Sequence, residues 1–306
     1  MVGLGIMVIN SGVDPLFLCA FTTSRTLPNK KEGGRVRHRI LTTLLLFSIL
    51  LAFYHPSLRA VATKNILIID IPRLTLPEIT KDYPNLLRFL DHGAVGVMTT
   101  PLKEPVALDQ VYFSFNSGTQ VKTAEENYLL FNSAELYKEI PAGVLYHSLT
   151  GYYPGKNAVV HLGLTKLVQL NSKDITPNIG LFGELLHQKS LRTAAIGNAD
   201  ADLISRCGSL LLMDQKGLLD YGAIGQETVR EDPRFPFGIR TNSRQILSTW
   251  QDFHSKAQVI VVTLGDLERL ERFSLYLNDR QWSFYRRQVL RDYDRLLGEL
   301  LHQVDD

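Results

Sequence analysis

Cysteine is nearly missing from this chain: its 306 residues include two, Cys19 and Cys207. That excludes a disulfide framework and a four-cysteine zinc site. An excess of charge of one sign is missing too. The formal net charge is +2, so a nucleic-acid partner would meet no electrostatic footprint. The eight histidines include no His-x-x-x-His or comparable pair, which removes the local signature of a histidine metal site. No internal repeat and no low-complexity segment is present. What is there is 45% hydrophobic content. That suffices for one large α/β domain or two small ones and argues against disorder.

Long apolar runs are scarce, and the one that exists carries an address. Arg35, Arg37, His38 and Arg39 form a basic flank, and Ile40 to Tyr54 follows without a charge. His55, Pro56 and the small-residue pattern Ala60-Val61-Ala62 come next. Basic, apolar and Ala-x-Ala in that order is a secretory signal. A spanning helix needs about 20 apolar residues, and Pro56 cuts this run short of that. Two outcomes stay open: export with cleavage near Ala62, or a retained membrane anchor over residues 39–58. In both, everything after Thr63 faces outward, on the extracytoplasmic side. Residues 1–34, with scattered Gly, Pro, Ser and Thr and no sustained period, read as a disordered extension. Residues 35–62 are the signal peptide or anchor, and 63–306 the α/β domain.

From Asn65 onward short apolar runs alternate with longer helical ones. That pattern predicts a mostly parallel sheet flanked by helices. Ile66 to Ile69 reads as a strand ending at Asp70, and Gln258 to Thr263 as the clearest strand, leading to Asp266 through Leu264-Gly265. Further strands are expected at Val95–Met98, Gly143–His147, Asn157–His161, Thr193–Ile196 and Gly208–Met213. Helices are expected from Pro84 to Gly93 and over Ala124–Lys138, Gly180–Lys189, Thr241–Lys256 and Asp279–Val304. In the last of these, Val289, Tyr293, Leu296, Leu297, Leu300 and Leu301 form an apolar stripe.

In open α/β sheets ligands bind in the crevice at the carboxyl ends of the strands. Asp70 and Asp266 each follow a strongly apolar strand, and carboxylates there suit hard cations or zinc. Both are expected to end neighbouring strands. The stretch Gly93 to Thr119 is rich in Gly, Thr and Ser. It could carry a hydroxyl nucleophile or phosphate-binding amides, or be an ordinary polar loop. Gly197 to Asp202 could bring an Asn or Asp to the same crevice, or form an Asx-capped turn.

The residues in order resemble a known family. Strand-Asp70 is followed by Tyr83-Pro84-Asn85-Leu86 and Asp91-His92-Gly93-Ala94, then by Phe113-Ser114-Phe115-Asn116-Ser117-Gly118. Val259 to Asp266 follows, and then Asp294-Arg295-Leu296-Leu297-Gly298-Glu299-Leu300-Leu301. This order, over roughly residues 64–301, is similar to the alkaline phosphatase superfamily of phosphodiesterases, sulfatases and cofactor-independent phosphoglycerate mutases. The resemblance implies a metal-binding Asp at position 70 and another at 266, a Ser or Thr nucleophile, and a divalent metal pair. It also implies a His four residues after Asp266 and a strand ending in Asp-His-Gly after the last helix.

The departures are specific. Leu108 stands where the resemblance implies the nucleophile; Thr99, Thr100 and Asp109 are the substitutes at hand, none fits the pattern, and Thr100 is the best of them. Leu270 stands where the His is implied, and no Asp-His-Gly segment follows Leu301. About six ligands are implied for two ions, and two are kept, so the two-ion mechanism is not assembled. The expectation is an alkaline phosphatase-like fold that is incomplete or catalytically degenerate. Its role would be binding or scaffolding; the alternative is a fragment of a metal-dependent phosphoryl- or sulfuryl-ester hydrolase.

Overall fold

The computed structural model describes residues 4–8, 65–92, 96, 108–123, 129–172 and 177–305. In chain order the strands are β1 (Leu4–Val8), β2 (Ile66–Pro72), β3 (Leu130–Asn132), β4 (Leu136–Tyr137), β5 (Ile140–Pro141) and β6 (Val159–His161). They continue with β7 (Thr193–Ile196), β8 (Leu218–Leu219), β9 (Tyr221–Ala223), β10 (Val229–Glu231), β11 (Ile239–Thr241) and β12 (Val259–Thr263). The helices are α1 (Pro84–His92), α2 (Leu108–Ser117), α3 (Ala142–Thr150), α4 (Leu164–Asn171), α5 (Leu181–Gln188), α6 (Ser243–Phe253), α7 (Asp266–Arg272) and α8 (Asp279–Asp305).

The main sheet has the order β1-β2-β12-β7-β9. Strands β2, β12, β7 and β9 run parallel, and β1 joins β2 antiparallel at the edge. The last strand in sequence, β12, is thus inserted between β2 and β7, the first two strands of the parallel set in chain order. Runs such as Ile66-Leu67-Ile68-Ile69 and Val259-Ile260-Val261-Val262 are apolar on both faces because helices cover both. Leu67, Ile69, Ile260 and Val262 point to one core, filled by Ile246, Trp250 and Phe253 of α6 and by Val289, Tyr293, Leu297 and Leu300 of α8. Ile68, Val259 and Val261 point to the other, filled by Tyr112 and Phe113 of α2, Leu167 of α4, and Leu210 to Met213.

Helix α8 has 27 residues, about 40 Å at 1.5 Å per residue, and it anchors α1. Asp294 accepts hydrogen bonds from the Leu86 amide (2.9 Å) and from Asn85 Nδ2 (3.1 Å), while its backbone carbonyl takes a second bond from Asn85 Nδ2 (3.0 Å). A Cβ at Gly298 would stand 2.8 Å from Asn85 Nδ2. Pro84-Asn85-Leu86 and the Asp294 to Leu301 segment, read as separate motifs in the sequence, therefore dock on each other.

Several expectations are corrected. Leu4–Val8, inside the stretch read as a disordered extension, is a strand, because its apolar run finds the open edge of β2. Strand β2 continues through Pro72, so Asp70 lies inside it rather than at its end. Leu130–Asn132, expected within a helix, pairs with β6, and nonlocal pairing overrides local propensity there. Gly143–His147 is part of helix α3, an apolar run too short for its period to separate helix from strand. Gly208–Met213 is not a strand: Cys207–Leu211 is a short 3-10 helix. The supposed loop before Thr119 holds α2.

The strand expected at Val95–Met98 and the candidate nucleophile Thr100 lie outside the described residues, as do the 35–62 signal and the 39–58 anchor. Among the described residues no helix is long and apolar enough to cross a membrane.

Candidate functional site

Asp70 and Asp266 do not end neighbouring strands as expected: Asp70 lies inside β2 and Asp266 opens a helix beyond β12. Asp70 is in register with Thr263, the last residue of β12, and Asp266 opens α7 three positions later. Their surroundings differ. Asp70 is fully buried on the α2 side of the sheet. The Tyr112 hydroxyl donates to its Oδ1 at 2.6 Å and the Thr263 hydroxyl to its Oδ2 at 3.0 Å. The 3-10 helix closes over the pair. A Cβ at Gly208 would stand 1.9 Å from Thr263 Oγ1 and 2.6 Å from Asp70 Oδ2, so only glycine lets this backbone approach. Burial pushes the Asp70 carboxyl up to about 7, against the two hydroxyl bonds that favour its ionised form. Burial and the neighbouring Asp70 push the Tyr112 phenol well up as well.

Asp266 is buried among donors of a different kind. Its Oδ1 accepts from the Thr241 amide (2.9 Å) and from Arg269 Nη1 (2.8 Å), and Arg240 Nε lies 3.9 Å from its Oδ2. Its own amide donates to the Tyr293 hydroxyl, which donates in turn to the Leu264 carbonyl. Arg269 is 0% exposed. Besides Asp266, Arg269 bonds the Asp200 carbonyl through Nε (2.8 Å) and Thr241 Oγ1 through Nη1 (3.3 Å). Its Nη2 bonds the Asn198 carbonyl (3.0 Å) and side-chain oxygen (2.8 Å). All five guanidinium donors are therefore used. One buried cation ties the loop after β7, the end of β11 and the start of α7 together.

Asp200, from the Gly197–Asp202 segment, is held the same way. Arg206 donates to its Oδ2 through Nε (3.0 Å) and Nη2 (2.8 Å), then grips Glu135 at 2.7 and 2.8 Å and the Leu130 carbonyl at 3.0 Å. Asn198 and Asp200 are buried, Asn198 Oδ1 accepts from the Asp200 amide in an Asx-type turn, and arginines hold both side chains.

These residues do not fit the pair of divalent ions that the resemblance implies. Among the described residues no three His, Cys, Asp or Glu side chains gather where a metal could be held. Asp70 faces two hydroxyl donors and Asp266 faces a guanidinium, which occupy the oxygens a hard cation would need. Leu270, in the position where the resemblance implies a histidine, is fully buried in the core.

Sequence reading missed Arg269, Arg206 and Tyr112. The signal for Arg269 was the Asp266-x-x-Arg269 spacing, which puts both side chains on one face of a helix. Arg206 reaches Glu135 across 71 positions and Tyr112 reaches Asp70 across 42, and no local pattern exposes such pairs.

Fold and site define an α/β protein with a parallel sheet and a carboxylate-bearing strand edge closed by buried arginines. Compared with known proteins, the chain matches no family model, and no curated protein or solved structure is significantly similar to it.

Proposed function

We propose that this chain is a non-catalytic, extracytoplasmic protein with an alkaline phosphatase-like fold, whose strand-edge acids serve structure rather than chemistry. Its role is then binding or scaffolding at the outer face of a membrane. It is held there through residues 39–58, or released by cleavage near Ala62. The observation that carries this reading is Arg269, fully buried and bonded to both Asp266 and Asn198. A fixed cation already sits against the acid that a metal would need, and displacing it would strand a buried charge. The docking of Asn85 on Asp294 and Gly298 supports the resemblance itself, because two of its motifs turn out to be mutual partners. The alternative, a fragment of a phosphoryl- or sulfuryl-ester hydrolase with Thr100 as nucleophile, draws on the register that aligns Asp70 with the end of β12.

Hydrolysis of p-nitrophenyl phosphate and its diester, with Zn²⁺, Mn²⁺ or Mg²⁺ added, separates the two. Turnover at the background rate, unchanged in Asp70→Ala, is expected. Metal-dependent turnover abolished by that substitution would overturn the non-catalytic reading.

A further inference from the structure

Six of the fourteen large hydrophobic side chains exposed among the described residues fall between 136 and 153: Leu136, Ile140, Val144, Leu149, Tyr152 and Tyr153. Apolar residues scattered singly over a surface need no explanation, whereas a contiguous group marks an interaction site. This group is contiguous in space. Leu136 pairs with Pro141 and Tyr137 with Ile140 in the β4–β5 hairpin, and α3 begins at the next residue. The loop after α3 folds back on it. The His147 and Tyr153 rings stack with centres 3.7 Å apart, and Pro154 Cγ would lie 3.2 Å from a Cβ at Gly143.

Helix α3 inverts the usual surface pattern. It buries Ala142, Gly143 and Tyr146 and turns Val144, Ser148 and Leu149 to solvent. Its outer face therefore carries no charge, where a surface helix normally places its charged residues. Its hydroxyl donors are not offered to water either. Ser148 Oγ donates to the Val144 carbonyl at 3.0 Å, and Thr150 Oγ1 to the Tyr146 carbonyl at 2.8 Å. Drying this face strands neither hydroxyl donor.

The rim is basic. Lys138 Nζ stands 5.4 Å from the centre of the Tyr137 ring and Lys216 Nζ 5.2 Å from that of Tyr152. Lys156, two residues beyond Pro154, is exposed as well. The stretch from 134 to 156 holds two acids, Glu135 and Glu139. Glu135 is taken by Arg206 at 2.7 Å, which leaves the exposed Glu139 against three lysines.

We propose that this face, made by the β4–β5 hairpin, α3 and the loop to Lys156, docks on a negatively charged lipid bilayer surface. Tyrosine and lysine together are the anchors of a membrane–water interface, the ring at headgroup level and the ammonium reaching past it to the anionic headgroups. A protein interface would share the tyrosines but is depleted in lysine. Each lysine near an anionic surface adds about fivefold in affinity. Such docking deepens the reading that the chain works at the outer face of a membrane and rests on it for which membrane is met. Residues 39–58 supply none of its contacts.

The test places an environment-sensitive nitrobenzoxadiazole fluorophore on Ser148→Cys in a Cys19→Ser background, with the buried Cys207 left in place. The full chain is diluted from detergent into preformed phosphatidylcholine vesicles, with or without phosphatidylglycerol, that carry doxyl quenchers in their acyl chains. Quenching at position 148 is expected, stronger in the anionic vesicles. None is expected for a label on Ser255→Cys, which follows α6 on the other face of the main sheet from β3 and β6. Val144→Glu/Tyr153→Ser should lower the ratio of docked to undocked label at least tenfold in both vesicle types. Lys138→Gln/Lys216→Gln should do so in the anionic vesicles alone. A chain that stays with the vesicles while position 148 escapes quenching would overturn the proposal and leave the membrane address standing. Quenching at 148 in a chain that alkaline carbonate strips from the vesicles would uphold the docking face and overturn the anchor over 39–58. Self-quenching of the label between copies without lipid would assign the face to a second copy and overturn the lipid assignment.

Discussion

At Asp70 two effects oppose each other, and burial wins. Two hydroxyl hydrogen bonds favour the carboxylate, but a fully buried charge with no cation against it among the described residues loses more hydration than they return. Its carboxyl is raised from 3.8 to about 7. The native state therefore binds a proton that the unfolded chain releases. The stabilising contribution is full below pH 3.8 and is lost as pH rises through about 7. By linkage it is worth up to about 4 kcal/mol. Asp70→Asn keeps the shape and the acceptor for Tyr112 while removing the titration. It should leave stability within about 1 kcal/mol of the parent at pH 4 and raise it by roughly 3 kcal/mol at pH 9. Urea unfolding at the two pH values measures this, and a variant less stable than the parent at pH 9 would refute it. In the sequence Asp70 was legible as a strand-edge acid, since four apolar residues precede it. Its neutral state was not, because Tyr112 and Gly208 reach it only through the fold.

At the element scale, the parts of the fold legible in sequence are those whose pattern is long or uniform. Val259–Thr263 and Ile66–Ile69 read as strands because β-branched residues fill every position but Leu67 in a doubly covered sheet. Asp279–Asp305 reads as a helix because its stripe repeats over many turns. Gly143–His147 and Gly208–Met213 were misread because a short apolar run does not reveal its period. A glycine in such a run marks close approach: a Cβ at Gly143 would stand 2.3 Å from Ser133 Oγ. The junction of α1 and α8 is a further case, since its two halves are visible in sequence and their contact is not. Asp294 holds the Leu86 amide in the first turn of α1 and Asn85 beside it. Removing the carboxylate leaves the Leu86 amide unpaired beneath the helix and Asn85 held by the backbone carbonyl of residue 294 alone, which costs about 1–3 kcal/mol. Asp294→Ala should lower stability by that amount, and Gly298→Val by at least as much through collision with Asn85. Hydrogen exchange should show amides of α1 opening first in both. Uniform exchange across α1 and β12 in Asp294→Ala would contradict a local cap.

Across the whole molecule, ionic locks sit at both ends of the sheet, and they respond differently to pH. At the carboxyl end Arg269 and Arg206 are permanently charged, so their networks weaken only when the acids are protonated. At the opposite end His187 of α5 lies 2.9 Å from Asp220 and 3.4 Å from Asp214, and Asp220 also accepts from the Thr193 amide at the start of β7. Hydrogen bonds to Asp214 and Asp220 raise His187 from 6.5 to about 10, and burial only partly offsets them. A raised histidine contributes stability fully present below pH 6.5 and lost as pH rises through about 10. His187 is 26% exposed, so solvent screening holds the contribution to about 1 kcal/mol. Asp70 and His187 thus act in the same direction over successive windows. Stability should fall from pH 4 to pH 7 through Asp70 and again above pH 7 through His187. His187→Gln keeps a donor for one of the two acids but cannot titrate. It should flatten the upper step and leave the lower one intact, and Asp70→Asn should do the reverse. Urea unfolding of the parent and both variants from pH 4 to pH 10 separates the steps. An upper step that survives in His187→Gln would show that the histidine does not hold α5 to the sheet through its charge.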